Sequence, residues 1–288
     1  MKTGLTHVRD SLAEGRIIPY LGSGILAAAG AAVPSDLPTL AQALSSKVSV
    51  PHRIRNNFTA AAQYIENFKH RKTLKGIITE LFSVPMPMPT LMQDLAALKL
   101  PLIVNLWYDD TMAKALDGQP SWGRIQGLSQ SEHYGQWVGY YQPNGTMVDM
   151  AEAAQWQTIL YEPWGSVRPD TNFLVSDSDF VEVLTEIDIQ TPIPAIVQEL
   201  RKGREFLFMG CRFNDQLQRA FARQIMKRSS DQHWAIIDGT LSRNEERFLE
   251  EQGIRRLDVS MAELFKAPLA TSLVAGLPSV SRFSESMD

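Results

Sequence analysis

A single cysteine, Cys211, leaves this 288-residue chain unable to build an internal disulfide or a Cys-x-x-Cys zinc ribbon. That fits a reducing compartment, and no structural zinc is expected. Positive charge is also scarce: 28 Lys and Arg face 32 Asp and Glu, a formal net charge of -4. This balance argues against nonspecific nucleic-acid binding as the chain's main business. No uninterrupted apolar run reaches the roughly 18 residues of a membrane span, and the opening MKTGLTHVRD lacks the apolar core of an export signal. A cytoplasmic location with no membrane contact is the expectation. Among five histidines, His7, His52, His70 and His233 have no acidic or cysteine partner at metal-ligand spacing, so no metal site is expected. The sequence has no internal repeat.

What is present is a 44% hydrophobic chain, enough for one large core or two modest ones. Its organising stretch is Ile17–Gly30, IIPYLGSGILAAAG. The apolar run Ile17–Leu21 predicts a buried parallel strand; Gly22-Ser23-Gly24 then leads into alanine-rich helix formers. Strand, glycine turn and helix together suit a phosphate at a helix N-terminus, with the amides near Gly22, Ser23, Gly24 and Ile25 as donors. A tight turn with no ligand would call for the same glycines.

Alternating strands and helices follow. Thr6–Gly15 predicts a short amphipathic helix, and the helix after the glycine turn is expected to end at Val33-Pro34-Ser35. Helical periodicity returns at Leu37–Leu44, Asn57–Phe68, Thr73–Phe82 and Thr90–Leu98, which reads as a helical insertion at about Pro34–Leu98. Its basic residues, His52, Arg53, Arg55 and the run from Lys69 to Lys75, suit a solvated face or an acidic partner. Further strands are expected at Leu100–Leu106, Trp156–Tyr161, Phe206–Gly210, Trp234–Ile237 and Ile254–Val259, with a hairpin turn at Asn144-Gly145. Ser176-Asp177-Ser178-Asp179 and Asn214-Asp215 are expected to open helices. The pattern predicts a Rossmann-like, doubly wound α/β fold, with one domain over residues 1–267 and a weakly ordered tail over 268–288.

The order of these motifs resembles the sirtuin-like (silent-information-regulator-like) NAD-binding family, in particular its prokaryotic NAD-consuming defence proteins. Leu21-Gly22-Ser23-Gly24-Ile25 resembles the family's Gly-Ala-Gly phosphate loop, and the helical insertion falls where the family places its smaller module. Asn105-Leu106-Trp107-Tyr108-Asp109-Asp110 occupies the place of the Thr-x-Asn-x-Asp motif. Leu160–Ser166 is similar to the strand ending in His-Gly-Ser, and Ser176–Phe180 to the Thr-x-x-Asp-Tyr helix start. Phe208-Met209-Gly210-Cys211 with Asn214-Asp215 resembles the late Gly-x-Ser segment and its aspartate. The resemblance implies NAD or an ADP-ribose-type nucleotide as ligand, with Gly22, Ser23, Gly24, Ile25, Asp109, Gly210 and Cys211 near it. Asp238, at the end of a late strand, is available to ribose hydroxyls.

The departures fall on the chemistry. In this register the family's catalytic asparagine and histidine positions hold Trp107 and Trp164. Indole has one donor and no base, so neither ring orients a water or takes a proton from a ribose hydroxyl. Both would fill the nicotinamide end of a cleft, or pack as core at strand ends. The sequence therefore reads as a catalytically degenerate relative that binds a nucleotide, or acts as an interaction or regulatory subunit with a protein partner or a second copy of itself. The alternative is an active NAD glycohydrolase with relocated groups drawn from Asn105, Asp109 or His133. Cys211 reads as a reactive thiol near a helix start or as a small buried hydrophobe.

Overall fold

A computed structural model describes residues 2–266, apart from 131, 134, 188, 190 and 191. The tail expected after Pro268 lies outside the described residues. Strands β1 (Ile17–Leu21), β2 (Leu102–Asn105), β3 (Trp122–Gly127), β4 (Val138–Tyr141), β5 (Met147–Val148) and β6 (Thr158–Glu162) come first, then a small hairpin of β7 (Gly165–Ser166) and β8 (Asn172–Phe173). Strands β9 (Glu205–Met209), β10 (His233–Ile236) and β11 (Ile254–Arg256) complete the set. All but β7 and β8 join one nine-stranded sheet in the order β11-β10-β9-β1-β2-β6-β3-β4-β5. The pairings are parallel from β11 to β3, and only β4 and β5 run antiparallel at one edge.

The chain grows outward from β1 in both directions, to β2 on one side and to β9 on the other. Such an order leaves a crevice at the carboxyl ends of the central strands, where open α/β sheets hold ligands. The central strands are apolar because both faces are covered: every residue of β1, β2 and β6 is buried.

The helices are α1 (Lys2–Ala13), α2 (Gly24–Ala28), α3 (Leu37–Lys47), α4 (Phe58–Phe82), α5 (Thr90–Ala97), α6 (Thr111–Leu116), α7 (Met150–Ala153), α8 (Asp177–Ile187), α9 (Ala195–Leu200), α10 (Gln216–Met226) and α11 (Arg243–Glu251). Helix α2 stops at Ala28 rather than continuing to Val33, because Gly30 turns the chain at φ +72°. At the N-cap of α3, the Asp36 carboxylate accepts from Thr39 N–H at 2.7 Å while Thr39 Oγ1 accepts from Asp36 N–H, a capping box. The two expected helices around His70 run on as α4, broken where His70 takes φ +70°. That conformation is unfavourable for a residue with a Cβ.

The neighbouring Arg71 shows what the break achieves. Its guanidinium donates to the Asp179 carboxylate at 2.7 Å, to the Phe173 carbonyl at 2.7 Å and to Glu66 at 3.2 Å. Asp179 in turn accepts from Ser129 Oγ at 2.6 Å and from the amides of Val175 and Ser176. Of the expected basic face, Arg71 and Lys75 are thus tied internally, Lys75 to Glu132 at 3.0 Å, and hold the insertion against the sheet domain. Among the described residues no helix is long and apolar enough to cross a membrane, and no three His, Cys, Asp or Glu side chains are grouped to hold a metal ion.

Candidate functional site

The loops after β1 and β9 meet at the carboxyl edge of the sheet. Gly22 N–H donates to the Met209 carbonyl at 2.8 Å, and Gly24 N–H to the Gly210 carbonyl at 2.9 Å. A Cβ at Gly22 would lie 2.5 Å from the Gly210 oxygen and 2.8 Å from Cys211 Cα; one at Gly24 would lie 2.8 Å from the same oxygen. Gly210 itself sits at φ +64°. These glycines are therefore required by backbone approaching backbone, whether or not a ligand binds. Two of the four loop amides expected to meet a phosphate are spent on this junction, and a third, that of Ile25, lies 3.4 Å from the Gly22 carbonyl.

Cys211 lies inside the same junction. Its thiol lies 3.5 Å from the carbonyl oxygens of Tyr20 and Met209, and burial pushes it well above the ordinary thiol range. It behaves as a small buried group with no thiolate character. Ile25 is likewise buried, and Asp238 presents its carbonyl to Arg212.

Beside the junction, between it and the insertion, opens a cleft of about 690 Å³. Ser23, Gly24 and Ala27 form one wall, the first turns of α3 and α4 another, and α8 with the start of α10 the third. Helix N-termini favour anions; those of α3, α4 and α10 carry their own caps, whereas that of α2 at Ser23 has no side-chain cap. Asn57 accepts from Ala60 N–H at 3.1 Å and Asp215 from Leu217 N–H at 2.7 Å, as Asp36 does from Thr39. Arg212, the guanidinium on the wall, is also engaged: Nε and Nη2 donate to Glu245 at 2.7 and 2.8 Å. Burial alone would raise the Glu245 carboxyl; the donors from Arg212, Ser242 and Phe213 outweigh it and hold the group down at about 2. Asp36, Asp177 and Asp215 add negative charge to the walls. The cleft thus offers dipoles and ribose-sized acceptors more readily than free cations.

The floor under the cleft is aromatic. Trp107 is 1% exposed and donates its Nε1–H to the Pro34 carbonyl at 3.0 Å; Trp164 is wholly buried and its Nε1–H finds no acceptor among the described residues. The two rings lie 6.4 Å apart, both beside Tyr108. Phe82 meets Trp107 edge-on at 5.9 Å, and Phe180 and Phe221 meet Trp164 edge-on at 5.3 and 5.7 Å. Phe180 also lines the cleft, so Trp164 packs directly behind that wall.

The other expected groups do not reach the cleft. Asn105 is 2% exposed, its amide 3.5 Å from the Trp107 carbonyl. Asp109 is buried, which raises its carboxyl, and it accepts from Thr111 N–H at 2.9 Å. His133 follows β3, 3.6 Å from the Asp170 carboxylate. Buried pairs that the sequence reading passed over lie nearby. Glu162, wholly buried, takes Arg124 Nε and Nη2 at 2.9 and 2.8 Å; burial lifts it to about 7 against the pull of that guanidinium. An arginine inside the run WGRIQG was the available signal, since a charge between buried neighbours needs a partner.

Residues 101–257 match a family model described as a SIR2-like domain. That span begins just before β2 and ends after β11, so it holds both tryptophans and the β9 loop but not the loop after β1. No curated protein matches the sequence.

Proposed function

We propose that this chain, which belongs to the family of SIR2-like domains, is a catalytically degenerate member that keeps a nucleotide cleft without NAD-cleaving chemistry. Family membership points to an NAD-related function. The observation that carries the finer reading is the burial of Trp107 and Trp164 in one aromatic stack, where the family's catalytic asparagine and histidine would stand. Neither ring offers a base or a hydrogen-bond acceptor with which to orient a water. Asn105, Asp109 and His133 are absent from the cleft walls, so relocated hydrolysis finds no support.

The ligand that suits the remaining cleft is an ADP-ribose-type nucleotide. Its ribose hydroxyls can donate to Asp36, Asp177 or Asp215, and its diphosphate would face the N-terminus of α2 at Ser23, which has no side-chain cap. The nicotinamide ring of full NAD would meet Phe180, with Trp164 packed behind it, so NAD should bind no better than ADP-ribose. Ala27 is exposed and lines the cleft, which makes Ala27→Trp a way to fill it without touching the core. Calorimetric titration should find ADP-ribose bound by the wild-type chain and at least tenfold weaker binding in Ala27→Trp, with the unfolding midpoint unchanged. Equal affinity in both would place the nucleotide elsewhere. No binding in either would favour an interaction or regulatory subunit, the role that the tied-up loop amides also permit.

A further inference from the structure

A second cleft, of about 580 Å³, lies between the end of α4, α6 and the β4–β5 turn, and it shares no wall residue with the first. At its base is Arg124, 5% exposed. Nε and Nη2 of this guanidinium are committed to Glu162 and, at 3.1 Å, to Ser166 Oγ. Nη1 makes no hydrogen bond among the described residues. A buried guanidinium with one unused donor nitrogen at the base of an open cavity can still give a charge-assisted hydrogen bond to an anion.

The walls narrow the class of anion. Lys114 and Arg168 share one carboxylate, Asp110, at 2.8 and 3.4 Å, which leaves one positive charge unmatched within ion-pair distance. Asp117, also on the wall, makes no ion pair among the described residues and offsets part of that surplus, so a ligand with two negative charges is disfavoured relative to one with a single charge. Pro143 and Pro169 add apolar atoms to the same lining, with the edge of the largely buried Trp122 beside them. We propose that this cleft binds a small organic monocarboxylate, its carboxylate directed at Arg124 and Arg168 and its apolar body against Trp122, Pro143 and Pro169.

Benzoate is the probe, titrated calorimetrically into the full chain beside its uncharged isostere benzamide, inorganic phosphate and ADP-ribose. The expected result is one benzoate per chain, benzamide at least tenfold weaker, and no displacement of benzoate by phosphate or ADP-ribose. Arg124→Gln should abolish binding, but it strips buried Glu162 of its partner and threatens the fold. Arg168→Glu, at a position 65% exposed, avoids that problem and should weaken benzoate at least tenfold with an unchanged unfolding midpoint. Absence of benzoate binding overturns the proposal. So does equal binding of benzamide, unchanged affinity in Arg168→Glu, or displacement by phosphate or ADP-ribose.

Discussion

The double variant Trp107→Asn with Trp164→His is expected to lose most of its folding stability instead of regaining the family's activity. Each indole is buried to within 1% of complete, and each touches several other rings. Truncating such a ring costs about 3–5 kcal/mol through lost burial and the cavity left behind. Asparagine and histidine add polar atoms to an aromatic environment, where an unpaired group costs about 1–3 kcal/mol more. The rings are neighbours, so the two losses will not add simply. Against a domain stability of about 5–15 kcal/mol, the sum still consumes most of what is available. Urea unfolding followed by circular dichroism should show the midpoint collapse in the double variant. A wild-type midpoint would mean that the indoles are not core and that the cleft extends through them.

Gly22→Val carries the second large effect. Its first side-chain carbon would sit 2.5 Å from the Gly210 carbonyl oxygen and 2.8 Å from Cys211 Cα. That backbone cannot retreat freely, because β1 and β9 are paired along their whole length up to Leu21 and Met209. Overpacking against fixed atoms costs about 1–3 kcal/mol and occasionally more; collision with backbone on a β-branched residue belongs at the upper end. The loss should be present with no nucleotide in solution. A stable Gly22→Val variant that had lost only ADP-ribose binding would instead mean that the glycine exists for the ligand.

These two sites mark what a reader of the sequence can and cannot see. Strands β1, β2, β6, β9 and β10 announce themselves because a strand covered on both faces is an unbroken apolar run, as in IIPYL and EFLFM. Strand β3 does not, since WGRIQG carries two glycines, an arginine and a glutamine, and its pairing with β6 is settled 30 or more residues away. The glycine loop is visible as a motif, but its reason is Gly210, remote in the chain and adjacent only after the sheet forms. The two tryptophans stand out as departures from a family pattern; that their rings pack tilted against each other, 6.4 Å apart, is a tertiary fact. Arg71 with Asp179 and Arg124 with Glu162, 108 and 38 residues apart, were hidden for the same reason. Isolated charges in the sequence do not reveal which of them will be buried together.

The proposed degenerate SIR2-like domain keeps its sheet and cleft but lacks the groups that break the bond between nicotinamide and ribose. The most direct measurement is free nicotinamide after incubation of the purified wild-type chain with NAD, read by chromatography against a buffer control. The expected result is release no faster than in buffer, at every protein concentration tested. Nicotinamide released in proportion to protein, and abolished by changing Asn105 or His133 to alanine, would contradict it.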